Sequence, residues 1–450
     1  MTIEYSEQGV LTDHRTRRAG AVGHIKSYYA ETGPTLSYYA PLEQDRDCEI
    51  CVIGGGLAGL TAAAELARAG KETVLVESNR LAWAASGRNG GFVAPGYARS
   101  IFDIEKRLGL DFAQQLYRLS NEGVAYVRST IRKAKANHII GGDGWLSMIR
   151  HKGTNSLERR AERMVRDYNA MQNFVPGDEL EKYVTSEKYH AGVMDMGCFH
   201  IQPLEYAGLL AANAKQSGAA IHENSSAVSI EPDGSKWKVS VGEHVVSAHH
   251  VLVATSVYGG PLRELNGALV PVATYVVAAK SPGGRLGDAI QFGGCLSDFR
   301  RANDYYRLVG EKEDPTLIWG GRITTRQSQP VKLAESLMAD IQDVYPQLDD
   351  LVITHCWSGL MAYPVHKMPI IGQVDENLWV ATGFGGHGLN TTAMAGNLIA
   401  SAISAGDDRY RLFSRFGPKW AGGAAGRISA QLEYWRLKFL DNISERFMTG

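Results

Sequence analysis

Short apolar runs and helical spacings follow one another along most of this 450-residue chain. Cys48 to Ile53 reads as a buried strand, Leu60 to Ala69 as a helix, and Val74-Leu75-Val76-Glu77 as a second strand. Residues 102–136 carry apolar positions at helical spacing, residues 155–171 read as a charged helix, and Asn173 to Glu187 as a turn-rich connector. Pro203 opens a further helix that runs through Lys215, proline being suited to a first turn. Ser226 to Val246 alternates like a meander, with Pro232-Asp233-Gly234 as a turn. His250 to Thr255 and Leu378 to Thr382 read as buried strands of a parallel sheet. Val270 to Ala279, Tyr305 to Val309 and Leu317 to Ile323 predict a second, mostly antiparallel sheet. Helices follow over 331–345, over Thr391 to Ala405 and, amphipathic and expected to dock on its own domain, over Ile428 to Phe447.

The first strand–helix–strand unit carries the most information. Its turn is Gly54-Gly55-Gly56-Leu57-Ala58-Gly59. Gly54 makes the turn, Gly56 admits a pyrophosphate to the backbone, and Gly59 lets helix and strand pack closely. The helix N-terminus, at Leu57 and Ala58, faces the phosphates. Glu77 lies 18 residues past Gly59, placed for ribose hydroxyls, with Ser78 and Arg80 just beyond it. A carboxylate there repels a 2′-phosphate, which leaves FAD or NAD(H). The loop Ala85-Ser86-Gly87-Arg88-Asn89-Gly90-Gly91 decides for FAD. A nicotinamide enzyme continues at that point into another strand–helix unit, whereas this small-residue loop suits an extended cofactor. Val228, Ala254 and Thr255, at strand starts and ends, face the same crevice. A second glycine turn, Gly383 to Gly388, again joins strand to helix. Gly386, His387, Gly388 and Leu389 are placed beside a flavin ring, where amides and helix dipole favour anionic charge. His387 reads either as a polar neighbour of the flavin or as a histidine fixing its own loop.

The expected fold class is α/β: a Rossmann-like FAD-binding domain with a discontinuous α+β substrate domain built on a mainly antiparallel sheet. Residues 1–45 form an N-terminal extension. Residues 46–105, 186–262 and 353–405 form the FAD-binding domain, 106–185 and 263–352 the substrate domain, and 406–450 a helical tail.

Composition excludes more than it selects. A net charge of −1 favours neither nucleic acid nor an anionic membrane. Hydrophobic residues, 44% of the chain, are spread out, and no run reaches the ~20 residues of a membrane span. Arg17-Arg18 is not followed by an apolar export core, so a cytoplasmic location is expected. Five cysteines make no disulfide framework. Cys48 and Cys51 form a CxxC, but an offset of three puts them on opposite faces of a strand, and no second pair completes a metal site. They read as packing residues, and no metal is expected.

Together these residues resemble the D-amino-acid-oxidase/sarcosine-oxidase superfamily of FAD enzymes, and within it the gamma-glutamylputrescine-oxidoreductase group. The resemblance runs from about Ser27 to about Ala405. It rests on Ser27-Tyr28-Tyr29-Ala30, the Ser86 to Gly91 loop, His200-Ile201-Gln202-Pro203-Leu204, Asp304-Tyr305-Tyr306-Arg307-Leu308, Trp357-Ser358-Gly359, Met368-Pro369 and Gly385-Gly386-His387-Gly388. It implies oxidation of the C–N bond of an amine by hydride transfer to flavin N5, hydrolysis of the imine, and reoxidation by O2 to hydrogen peroxide. It further implies a catalytic set of His387, Arg307, Trp357 and Tyr306. Arg307 is the cation for a substrate carboxylate, or else part of a structural ion pair. Tyr305, Tyr306, Trp357, Tyr363 and Phe384 are a candidate aromatic wall, or plain core.

Three positions depart from the sarcosine-oxidase branch. Its flavin-bearing cysteine aligns with Ser358, two residues from Cys356, so FAD is expected to be non-covalent. Its carboxylate-binding lysine aligns with Asn390, and its oxygen-activating lysine falls near Ile318 or Trp319. The substrate implied is therefore a small-molecule amine rather than sarcosine. A D-amino-acid, glycine or N-methyl amino-acid oxidase is the alternative, using Arg307 or Arg88 for the carboxylate. A nicotinamide dehydrogenase leaves both the Ser86–Gly91 loop and the second glycine turn unexplained. A non-catalytic flavoprotein predicts bound FAD that no amine reduces. The oligomeric state is not legible.

Overall fold

The computed structural model describes residues 23–301, 303–325 and 330–447. Two sheets meet along a shared crevice. In the first, five parallel strands run in the order Leu378–Thr382, His244–Val253, Arg46–Ile53, Thr73–Val76 and Ala220–His222. Ile370–Asp375 adds an antiparallel edge, and the meander Ala227–Asp233 and Lys236–Val241 joins through His244–Val253. Parallel strands buried on both faces need near-continuous apolar sequence. Arg46–Ile53 supplies this from Ile50 onward and Thr73–Val76 throughout. Helices Leu57–Arg68, Pro203–Gln216, Leu110–Lys133 and Gly388–Ala405 pack together in the principal core. Their small residues have a steric cause: a Cβ on Gly396 would stand 2.7 Å from the Ala58 carbonyl oxygen.

Among the described residues, the second sheet has nine strands. Its main path runs Val352–Pro364, Leu269–Lys280, Thr316–Thr324, Tyr305–Val309, Cys295–Asp298, Ile140–Ile149, Ala191–Ile201 and Phe92–Val93, with Gln172–Pro176 beside Ala191–Ile201. All pairs are antiparallel except Cys295–Asp298 against Ile140–Ile149. Six of these strands, at 92–93, 140–149, 172–176, 191–201, 295–298 and 352–364, were not expected from sequence. The pairing also cuts the chain differently from the expected boundaries: Ala191–Ile201 and most of Val352–Pro364, placed with the cofactor domain, hydrogen-bond into this sheet. The long helix expected over 102–136 is two helices, Ile101–Leu108 and Leu110–Lys133, broken where Gly109 adopts φ +88°.

Cys48 and Cys51 do not lie on opposite faces; both pack into one apolar cluster. Glu49 and Ile50 both donate to the Glu72 carbonyl, the signature of a bulge, which slips the strand's alternation by one residue. Burial pushes the Cys48 thiol up to about 12 and that of Cys51 well above the usual range, so neither is a ready nucleophile.

A buried ion network holds the turn between Cys295–Asp298 and Tyr305–Val309. Arg150 lies 2.9 Å from Asp298 and 3.2 Å from Asp304, and Arg300 lies 2.8 Å from Asp298 and also pairs with Asp304. At one end of the chain, Ser27 caps the short helix Tyr28–Thr32 and buries Tyr29. At the other, helix Gly423–Phe447 docks on the second sheet: the Gln431 side-chain oxygen accepts from Thr324 Oγ1 (2.8 Å) and Thr325 N (2.9 Å). Among the described residues, no helix is long and apolar enough to cross a membrane.

Candidate active site

A cavity of about 1050 Å³ follows the crevice between the sheets. That is at or above the upper end of ordinary small-molecule sites, which span about 300–1,000 Å³. One end is built by the first glycine turn and Glu77, the middle by the 85–91 loop and residues 254–260. The far end lies between the second glycine turn, the nine-stranded sheet and the C-terminal helix.

The first end fits FAD on steric and electrostatic grounds. Gly54 has φ +113°, and a Cβ there would stand 2.7 Å from the Ala254 carbonyl oxygen. A Cβ on Gly59 would collide with the Gly54 carbonyl oxygen. Helix Leu57–Arg68 therefore begins against the strand end, with Gly56 as N-cap contributing no side chain and the Leu57 amide donating to Ser86 Oγ (3.1 Å). Glu77 is fixed at the strand end by Gly55 N (2.7 Å) and Asn79 N (2.8 Å). Asn89 ties the next loop together, donating to Ala85 O (3.0 Å) and Ser86 O (2.9 Å) and accepting from Gly91 N (2.8 Å). Of the sequence-predicted cofactor residues, Gly54, Gly56, Leu57, Ala58, Glu77, Ser78, Ala85, Ser86, Arg88, Asn89, Gly90, Gly91, Val228, Ala254, Thr255, Gly386, His387, Gly388 and Leu389 all line the cavity.

Gly59 and Gly87 stand behind the lining: Gly59 packs against Gly54, and a Cβ on Gly87 would meet the Ala82 carbonyl oxygen at 2.5 Å. Arg80 does not line it. Its Nε donates to buried Glu223 (2.8 Å) and its Nη2 to the carbonyls of Leu36 and Ser37, so it anchors the N-terminal segment.

Of the four residues in the implied catalytic set, only His387 lines the cavity. It is the N-cap of helix Gly388–Ala405, and its carbonyl accepts from Thr391 Oγ1. Its ring makes no hydrogen bond to a described residue, so it does not fix its own loop. Burial lowers its pKa to about 4, leaving a neutral imidazole at physiological pH.

The other three lie behind the wall. Arg307 is buried: Nη1 donates to His200 Nδ1 (2.6 Å) and Nη2 to Tyr29 Oη (3.0 Å). The expectations of a substrate clamp or an ion pair both give way here, because its partners are neutral and it stands behind Gly91. Trp357 donates its Nε1 to Arg88 O (2.9 Å) and so supports the loop from outside the cavity. Tyr306 is stacked on Trp319 at 4.2 Å and hydrogen-bonded to Tyr189 and Tyr345 in the second core. Of the expected aromatic wall, Tyr305, Tyr363 and Phe384 line the cavity, together with Trp83, Phe92, Trp145, Tyr258 and Tyr434, which were not foreseen. Asn390 turns away to Gly96 O (3.2 Å), and neither Ile318 nor Trp319 reaches the cavity. Ser358 and Cys356 also lie outside the lining.

Arg88 is the most informative cation. It lines the cavity at 6% exposure, lies 4.4 Å from the Trp83 ring centroid, and leaves Nη2 without a partner. Desolvation lowers its pKa. Arg88 pairs with no carboxylate among the described residues, so it brings an uncompensated positive charge to the middle of the cavity. A protonated amine is disfavoured there and a neutral one is not.

His200 makes a test of the buried network. Desolvation and then Arg307 lower its pKa from 6.5 to about 3, so it stays neutral, accepting from Arg307 and donating to Gly293 O (2.9 Å). Below about 6.5 the unfolded chain binds a proton that the folded one refuses. Stability from this site is therefore full above pH 6.5 and lost as pH falls towards 3. Urea unfolding across that window should show stability rising with pH, with a shallower slope in His200→Gln; an identical slope contradicts the assignment.

The model of the DAO family, FAD dependent oxidoreductase, matches residues 49–402. Gamma-glutamylputrescine oxidoreductase of Escherichia coli is 29% identical over 87% of this chain and 92% of its own. Glycine oxidase of Bacillus subtilis is 24% identical over 80% and 93%. The solved glycine oxidase of Bacillus cereus superposes with a TM-score of 0.66 at 20% identity, over 82% of this chain and 98% of that one. Cofactor turn, crevice and matched length agree: the chain belongs to the DAO family of FAD-dependent oxidoreductases, enzymes whose relatives act on amines and amino acids.

Proposed function

We propose that the protein oxidises the C–N bond of a primary or secondary amine of the gamma-glutamylputrescine kind. The products are an imine, hydrolysed to aldehyde plus ammonia or amine, and hydrogen peroxide from O2. FAD, when bound, supplies the two-electron acceptor. The chain supplies position, exclusion of water and charge. The observation that carries the reading is the polarity of the cavity beyond the dinucleotide end. Around Arg88, His387, Tyr305 and Tyr363 the lining holds no carboxylate, which suits a neutral amine; Glu433 stands apart on the C-terminal helix. His387, neutral and unpartnered, is placed to hydrogen-bond the substrate, while Tyr305, Tyr363 and Phe384 shield it from water. Anaerobic addition of gamma-glutamylputrescine is expected to bleach the bound flavin, and admission of oxygen to restore it with hydrogen peroxide formed.

The unpartnered Nη2 of Arg88 favours one other reading, an amino-acid oxidase in which it holds the substrate carboxylate. Sarcosine, glycine or D-alanine then bleaches the flavin faster than gamma-glutamylputrescine.

Non-covalent FAD is part of the same proposal. Cys356 lies off the cavity with its thiol pushed up to about 12 by burial, and Ser358 has no thiol. Acid precipitation should leave all flavin in the supernatant; yellow pelleted protein contradicts this.

A further inference from the structure

Helix Gly423–Phe447 lies beyond the residues matched by the family, yet its inner side is a wall of the cavity. Ser429, Ala430, Glu433, Tyr434 and Leu437, at spacings of three and four, all line it. The helix is fixed there by Gln431, by a hydrogen bond between Tyr434 and the Ile323 backbone, and by Asp441 with Arg301 (3.0 Å). The turn after Val352–Pro364, where Lys367 has φ +57°, lines the same cavity. The Lys367 backbone N–H donates to Pro364 O (2.9 Å), while its side chain makes no hydrogen bond or ion pair with a described residue. Glu433 accepts from Arg436 Nε (2.7 Å) and Nη2 (2.8 Å), which lowers its carboxyl, and the charge of Lys367 lowers it further in smaller part.

We propose that Lys367 and Glu433 form a distal subsite for a zwitterionic, amino-acid-like group at the far end of an extended amine. Lys367 takes the carboxylate and Glu433 the ammonium, while the reacting amine lies at the His387 end. This rests on the amine-oxidoreductase reading and assigns the remote half of its substrate. The C-terminal helix thereby sets which amines are preferred, by adding a charged recognition site to a largely apolar wall.

The test uses the FAD-loaded full chain and two probes. The first is gamma-glutamyl-butylamide, which carries the same head but lacks the terminal amine of the diamine arm, with its Kd measured by calorimetry. The second is the ratio of kcat/KM for gamma-glutamylputrescine to that for butylamine, which lacks the head. Lys367→Gln and Glu433→Gln are each expected to raise the Kd about five- to tenfold, as loss of a partly screened charged hydrogen bond does, and to lower the ratio similarly. A Kd and a ratio both equal to wild type overturn the subsite. If no amine reduces the flavin but the Kd shift appears, the subsite stands and the amine-oxidation reading falls. If amines are oxidised but neither variant moves Kd or ratio, the reverse holds.

Discussion

Gly59→Ala yields a protein that has lost most of its affinity for FAD. The new Cβ collides with the Gly54 carbonyl oxygen, backbone against side chain, and the Val52 side chain closes the other side at 3.2 Å. The helix must retreat from the strand, and its N-terminal amides retreat from the pyrophosphate with it. Overpacking of this kind costs about 1–3 kcal/mol. FAD affinity should fall about ten- to hundredfold, read by titrating cofactor-free protein with FAD. Gly287→Ala is the control, since nothing lies within 4 Å of its Cβ. Retention of wild-type affinity by Gly59→Ala contradicts the account of the turn.

Asp298→Ala is expected to be the most destabilising change in the second sheet. Asp298 is 3% exposed and sits between Arg150 (2.9 Å) and Arg300 (2.8 Å). Removing one partner from a buried ion network leaves uncompensated charge and costs about 3–5 kcal/mol. Asp343→Ala touches the same Arg150, but at 3.5 Å and from a carboxylate 48% exposed. That pair contributes about 0–1 kcal/mol. Urea unfolding of both variants separates them. Equal losses contradict the view that burial, and not the number of ion pairs, decides their worth.

What could be read from sequence was what is local. The first glycine turn, its helix and Glu77 follow one another in the chain, so steric rules identify them without tertiary information. The second glycine turn was legible for the same reason, down to His387. Arg307 was not, because what decides its role is distant: Tyr29 is 278 residues away and His200 is 107. From sequence it was a cation in a strand; in the fold its neutral partners turn it away from the cavity. Strand Ile140–Ile149 was hidden by Gly141, Gly142 and Gly144, which depress a strand pattern. Gly141 is small because the His200 ring lies against it, a constraint no periodicity reveals. The C-terminal helix was visible as amphipathic, but that it walls the far end of the cavity is a tertiary fact.

The central claim is that FAD in this crevice accepts electrons from an amine. The most direct measurement is the visible spectrum of the FAD-loaded protein without oxygen, before and after gamma-glutamylputrescine, putrescine, sarcosine and D-alanine are added separately. The account predicts that the flavin band bleaches, fastest with gamma-glutamylputrescine, and returns when oxygen is admitted. A protein that takes up no FAD, or whose flavin none of these amines reduces, contradicts it.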